Sequence, residues 1–312
     1  MKISVFISNP ASEALNFSGE KKELLEMALP DVDVVVCDTP KSFKENLIDT
    51  DIALTWYFSL KWLEKAPKLK WIAVPSAGTD YMNTEFPKHI KFTNSSFHGE
   101  IMAETVLGAL LGFSRGLFWI NKNQEKLLWP NEQHRNMAKT LRGSHLVIVG
   151  FGHIGTHIAR LAKPFGVKIT GVKRTLIKKP SFFDESDNII TIENLDSVLP
   201  ETDHLIMVLP KNKSTDTILN RERLSLLPKT AYLYNIGRGN AIDENALIDA
   251  LNENRISGAY LDVFQNEPLK KDSPLRKCPN ILLTPHTSAI APNFLHLFIE
   301  EFVEKYNKWI SS

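Results

Sequence analysis

The feature that most constrains this chain is a six-residue turn, Gly150-Phe151-Gly152-His153-Ile154-Gly155, set between two regular segments. Before it, residues 145–149 read HLVIV, a buried-strand pattern; after it, residues 154–164 carry a helical one. The string G-x-G-x-x-G recurs by chance when it stands alone. Between a strand and a helix it has the form of a βαβ unit that receives a dinucleotide. Gly150 then permits the tight turn, and Gly152 lets a pyrophosphate approach the backbone. Gly155 lets helix pack on strand, with the phosphates against the helix start at His153 and Ile154.

The rest of the chain agrees with an α/β architecture. Residues 3–8, 32–37, 52–55 and 71–75 are short apolar or β-branched runs, with a helical pattern over 20–28. Residues 100–117 form a long apolar helix with Ala103, Leu107, Leu110 and Leu111 on one face. The polar stretch 121–142 has no clear period. Beyond the glycine turn, strands are expected at 168–172, 204–209, 231–235 and 258–261, with a closing amphipathic helix over 293–310. Alternation of this kind implies parallel sheets.

At 312 residues, with 43% apolar and 23% charged residues, the chain has the length and balance of a two-domain globular protein. A net charge of +1 without a basic tract argues against nucleic acid as a partner. Cys37 and Cys278 are far apart in sequence and outside any metal-ligand spacing, which suits two free thiols in a reducing compartment. The apolar start is too short for a signal peptide, and no apolar window has membrane-spanning length. A cytoplasmic protein is therefore expected.

In a dinucleotide unit the second strand ends in an acidic residue that holds the ribose hydroxyls. Here that place reads Lys173-Arg174-Thr175. Two cations and a hydroxyl suit a 2′-phosphate, so NADP is expected in preference to NAD.

Three late segments carry the chemistry: NIGRGNAID at 235–243, LDVFQNEPL at 261–269 and TPHTSA at 284–289. Each follows an expected strand, at the edge where open α/β sheets bind ligands. Reduction of a 2-keto acid needs a cation for the carboxylate and carbonyl, and an acid for the alkoxide. Arg238 supplies a fixed fork of donors. His286 titrates near neutrality, and Glu267 can orient the ring and keep it protonated. Singly, each has an ordinary structural reading; their order behind the glycine turn is what carries the assignment.

These segments, with PSAGTDYM at 75–82, AETVLGALLGFSR at 103–115 and VLPKNKST at 208–215, resemble the D-isomer-specific 2-hydroxyacid dehydrogenase family along nearly the whole chain. The resemblance implies that Arg238 binds substrate, His286 is the acid/base and Glu267 its partner. It further implies that Asp262 meets the nicotinamide carboxamide and that Leu209 and Pro210 border the adenosine. Ile236 and Gly237 would approach the nicotinamide ribose, and backbone at Ser76, Ala77, Gly78 and Thr79 would hold the substrate carboxylate. The implied fold is two Rossmann-like or flavodoxin-like domains with parallel sheets. A cofactor domain, 99–287, is inserted into a discontinuous substrate domain, 1–98 and 288–312. Its cleft closes on the ligands, and the long helix helps form a homodimer.

Two departures narrow the expectation. Formate-oxidising relatives pair the histidine with Gln, whereas Glu267 stands here. Phosphoglycerate-type relatives often carry a regulatory domain, for which no room is seen. A reductase of small 2-keto acids such as glyoxylate or hydroxypyruvate is favoured. A D-lactate-type enzyme with a bulkier substrate is a further reading, its pocket shaped by aromatics such as Trp56, Tyr57, Trp129 and Phe294. A different class is a dinucleotide-sensing corepressor that keeps the catalytic residues.

Overall fold

The structure, a computed structural model, describes the chain except residues 11, 83, 84 and 127–131. Trp129 lies outside the described residues. The chain divides into two compact units, Met1–His98 with Ile290–Ser312, and Gly99–Ala289.

The first unit holds a five-stranded parallel sheet of β1 (Lys2–Phe6), β2 (Asp33–Val36), β3 (Ile52–Thr55), β4 (Trp71–Ala73) and β5 (Lys91–Thr93) in the order β2-β1-β3-β4-β5. The central strand β3 is buried throughout, as a parallel strand covered on both faces must be. The closing helix Phe294–Ile310 belongs to this unit and packs its apolar stripe there. Phe298, Phe302 and Tyr306 recur at i, i+4 and are buried, and Phe302 packs on Trp71 with ring centroids 5.2 Å apart. Its polar side is also tied down: the Glu301 carboxylate accepts from the backbone N–H of Ser96 and Phe97 at 2.8–3.0 Å.

The second unit holds seven parallel strands: β6 (His145–Val149), β7 (Lys168–Lys173), β8 (Asn188–Thr191), β9 (His204–Met207), β10 (Tyr232–Asn235), β11 (Gly258–Leu261) and β12 (Ile281–Leu283). Their order is β12-β11-β10-β9-β6-β7-β8. Successive residues point to opposite faces. Val147, Val149, Leu205, Met207 and Leu233 therefore enter one apolar core. Leu146, Ile148, Ile206 and Tyr234 enter another, which the helix His98–Ser114 covers with Met102, Val106, Leu110 and Phe113.

Several bounds differ from the sequence reading. The long helix stops at Ser114, where Gly116 turns the backbone left-handed (φ 67°), and restarts as Leu117–Asn123. The stretch without a period contains a short helix, Glu132–Met137. Strands β5 and β8 were not expected; both are sheet edges, short and only partly buried, so their apolar pattern is weak. The helix Pro40–Asn46 is announced by a capping box between Thr39 and Ser42 rather than by its apolar residues. Among the described residues, no single helix is long and apolar enough to cross a membrane.

At the carboxyl edge of the larger sheet, loops from neighbouring strands touch backbone to backbone. Gly150 has φ 98°, and a Cβ there would stand 2.4 Å from the Val208 carbonyl oxygen. Gly239 is tighter still: a Cβ would meet the Phe264 carbonyl carbon at 1.9 Å. Replacing Gly150 with Ala combines a left-handed backbone with a clash, and should cost roughly 2 kcal/mol or more. A urea unfolding curve for Gly150→Ala is expected to show a lower midpoint with an unchanged slope; an unchanged midpoint would contradict this packing.

Candidate active site

Six loops leave the carboxyl ends of β6, β7, β9, β10, β11 and β12, and they bring the expected residues of the second unit to one edge. After β6, Gly150 makes the tight turn and Gly155 packs on the strand, a Cβ there lying 2.8 Å from the Gly150 carbonyl oxygen. Gly152 is exposed, with no atom within 4 Å of where a Cβ would stand. It begins the ten-residue helix His153–Ala162, whose start has no side-chain cap. Open space beside uncapped N–H groups is what a pyrophosphate requires. His153 is exposed, its ring 4.6 Å from that of His157.

Lys173 ends β7 half-buried, and Arg174 and Thr175 follow it exposed. After β9, Leu209 is half-buried and Pro210 exposed. Their loop is fixed by Thr215, whose hydroxyl donates to the Pro210 carbonyl at 2.7 Å.

The turn after β10 is clamped by Asn235, which the sequence reading passed over. Its side-chain oxygen accepts from Gly237 N at 3.1 Å, and its amide donates to the Arg238 carbonyl at 3.1 Å. Ile236 and Gly237 are buried, Gly237 so tightly that a Cβ would lie 2.6 Å from Leu209 N. Arg238 is half-buried, one guanidinium nitrogen donating to the Gly237 carbonyl at 2.9 Å.

After β11 and β12 the acid pair assembles. His286 Nδ1 donates to Glu267 Oε2 at 2.8 Å, while Glu267 Oε1 accepts from Phe264 N at 3.0 Å. With Nδ1–H committed to a carboxylate, Nε2 is the nitrogen that exchanges a proton. The hydrogen bond to Glu267 raises the His286 pKa above its ordinary 6.5, outweighing burial and the Arg238 charge, which lower it. Burial pushes the Glu267 carboxyl up, but the bonds from His286 and Phe264 N and the charges of His286 and Arg238 carry it below its ordinary value. Arg238 thus acts electrostatically on both members.

Asp262 directly follows β11. It is 0% exposed, and its carboxylate accepts from Thr284 Oγ1, Thr287 N and Ser288 N at 2.6–2.9 Å. Its two carboxylate oxygens are thus turned to the loop after β12. Thr284, Thr287 and Ser288 were missed as partners because nothing in their spacing marks them.

Within the first unit, residues 76–79 follow β4 and are half-buried. Ser76 Oγ donates to the Tyr81 hydroxyl at 2.8 Å, and that hydroxyl donates to the Trp56 carbonyl at 2.6 Å. Trp56 packs on Phe294 with ring centroids 5.9 Å apart, and Tyr57 is 45% exposed.

Residues 107–288 match the family described as D-isomer specific 2-hydroxyacid dehydrogenase, NAD binding domain. The chain belongs to the D-isomer specific 2-hydroxyacid dehydrogenase family. A glyoxylate reductase of Thermofilum pendens is 32% identical over 272 residues, 81% of this chain and 77% of that protein. A D-3-phosphoglycerate dehydrogenase of Methanocaldococcus jannaschii is 30% identical over 272 residues; these are 86% of this chain and only 48% of that relative, so the match spans about half its length. A D-isomer specific 2-hydroxyacid dehydrogenase of Xanthobacter autotrophicus Py2, solved with NADPH and MES, superimposes with a TM-score of 0.80 at 25% identity. That match covers 98% of this chain and 95% of the other. Family membership makes this chain one with a nicotinamide-dinucleotide domain of the oxidoreductase type.

The His286 contribution to stability is complete below the ordinary imidazole range and is lost as pH rises through its raised pKa. The Glu267 contribution is complete above the ordinary carboxyl range and is lost as pH falls through its depressed pKa. Glu267→Gln is therefore expected to move the His286 imidazole titration, followed by NMR, to lower pH. An unmoved titration would show that the carboxylate does not set the charge of the ring.

Proposed function

We propose that the chain reduces small 2-keto acids to D-2-hydroxy acids with a nicotinamide cofactor, NADPH in preference to NADH. The observation that carries this reading is the meeting of Arg238, Glu267 and His286 at one sheet edge, with Nδ1 bonded to carboxylate and Nε2 left for a proton. Gly150, Gly152, His153, Ile154 and Gly155 would hold the pyrophosphate, with Leu209 and Pro210 by the adenosine and Ile236 and Gly237 by the nicotinamide ribose. A bound reduced nicotinamide supplies the hydride to the carbonyl carbon.

The chain's own residues do the remainder. Arg238 pairs its guanidinium with the carboxylate and carbonyl of the keto acid, polarising the bond that is reduced. His286 Nε2 gives its proton to the oxygen as negative charge develops there. Glu267 keeps the imidazolium populated at neutral pH and fixes the ring's orientation. Backbone at Ser76, Ala77, Gly78 and Thr79 is assigned to the substrate carboxylate on the family resemblance.

The preference for NADPH rests on Lys173 and Arg174. Where a ribose-binding carboxylate would stand after β7 there are two cations, and among the described residues neither makes an ion pair. Support also comes from the relative that carries the name glyoxylate reductase and from the one solved with NADPH. A cytoplasmic homodimer, associating through the helix His98–Ser114, is part of the proposal.

A panel of 2-keto acids assayed with NADH and NADPH in parallel tests this reading. Turnover is expected with glyoxylate or hydroxypyruvate and to collapse in His286→Ala. Tight dinucleotide binding without turnover of any keto acid would favour the sensor class instead. Lys173→Ala with Arg174→Ala should raise the KM for NADPH by about tenfold or more, the loss of one or two charged hydrogen bonds, with little change for NADH. An equal loss for both cofactors would remove the 2′-phosphate assignment.

A further inference from the structure

Residues 174–187, which join β7 to β8, contain no helix or strand. A connection of this length without regular structure is uncommon in a compact domain unless it serves a site. Its first half is open to solvent, with Leu176 60% and Ile177 44% exposed. Its second half is anchored on one residue. Asp187 is 0% exposed, and donors converge on it from three directions. Lys163 Nζ and Asp184 N reach Oδ2 at 2.6 and 2.9 Å, and Ile169 N in β7 reaches Oδ1 at 2.8 Å. Lys179 Nζ donates to the Asp187 carbonyl at 2.5 Å.

Lys163 directly follows the helix His153–Ala162, and its ammonium is shared with Asp184 Oδ2 at 2.8 Å. Burial alone would lower its pKa, but the bonds to Asp184 and Asp187 carry it above the ordinary 10.5, so the pair is charged at neutral pH. The loop is also seated on the glycine turn. Phe183 packs on Phe151, the second residue of that turn, with ring centroids 5.6 Å apart; Phe182 stands edge-on to Phe183 at 5.3 Å. Gly171 leaves the space for Phe151, since a Cβ there would lie 2.5 Å from its Cγ. Gly150 N and Phe151 N both donate to the Val172 carbonyl at 3.0 Å, one residue before Lys173. The stem that carries Lys173 and Arg174 is thus fixed to the turn, and the segment beyond is held through Phe183 and Asp187.

We infer that Lys163 and Asp187 are positioning residues for cofactor choice. Their ion pair keeps loop 174–187 folded against the glycine turn, so that Lys173, Arg174 and Thr175 stand ready for a 2′-phosphate. This rests on the reading that the two cations select NADPH. Without Lys163 the buried Asp187 carboxylate loses its cation, which is costly, and the loop opens to hydrate it. The 2′-phosphate then has to order the loop on binding, a cost that falls on NADPH far more than on NADH.

The test is Lys163→Met, which keeps the length of the side chain and removes its charge, with Kd for both cofactors read from nicotinamide fluorescence. The Kd for NADPH is expected to rise about tenfold, the loss of one charged hydrogen bond, and that for NADH by less than about threefold. Lys163→Arg, which can keep the ion pair, should restore the wild-type ratio. Asp184→Ala removes the more exposed of the two carboxylates. It should move the ratio less in the same direction, and it carries the test if the Met variant does not fold. A Lys163→Met chain with a lower urea midpoint but an unchanged ratio of the two Kd values would make the pair structural alone and overturn the proposal. If the wild type binds NADH as tightly as NADPH, the cofactor reading fails, and the positioning role falls with it.

Discussion

The site depends on how closely the backbone loops approach one another along the carboxyl edge of the seven-stranded sheet. Gly150 after β6 lies against Val208 after β9, Gly237 after β10 lies against Leu209, and Gly239 lies against Phe264 after β11. The series ends where Asp262 grips the loop after β12. Each contact leaves no room for a methyl group, so the position of one loop sets that of the next. The His286 loop after β12 and the glycine turn after β6 are thereby held in one rigid frame. Rigidity of this kind is what a hydride transfer needs, because donor and acceptor must meet within a few tenths of an ångström.

Much of this frame could be read from the sequence, for a physical reason. A glycine demanded by close approach leaves a local mark, and so does an Arg, Glu or His beyond a strand end. The buried strands β6 and β11 were found at their true bounds because both faces are covered and their apolar runs are unbroken. The edge strands β5 and β8 were not, since an edge has fewer apolar neighbours to satisfy. The break at Gly116 was hidden inside an apolar helix, where a single glycine is ambiguous.

The part that could not be read is the set of partners each polar group finds. Asp262 stands in a segment that looks catalytic, and only the fold shows its oxygens turned to Thr284, Thr287 and Ser288. Asn235 likewise looks like the last residue of a strand, while its side chain locks the turn that presents Arg238. Both bind backbone groups, which have no sequence signature. The electrostatics follow the same rule. Glu267 and His286 were paired in advance by type, but the influence of Arg238 on both arises only from their meeting at the edge.

The most direct measurement of the account is the fate of a labelled hydride. With NADPH deuterated at the transferring position of the nicotinamide and a prochiral 2-keto acid such as pyruvate or hydroxypyruvate, the product is predicted to be the D-2-hydroxy acid. It should carry deuterium at carbon 2, as read by chiral chromatography with mass spectrometry. An L or racemic product, or a D product without deuterium at carbon 2, would contradict direct transfer at a site built from Arg238, Glu267 and His286.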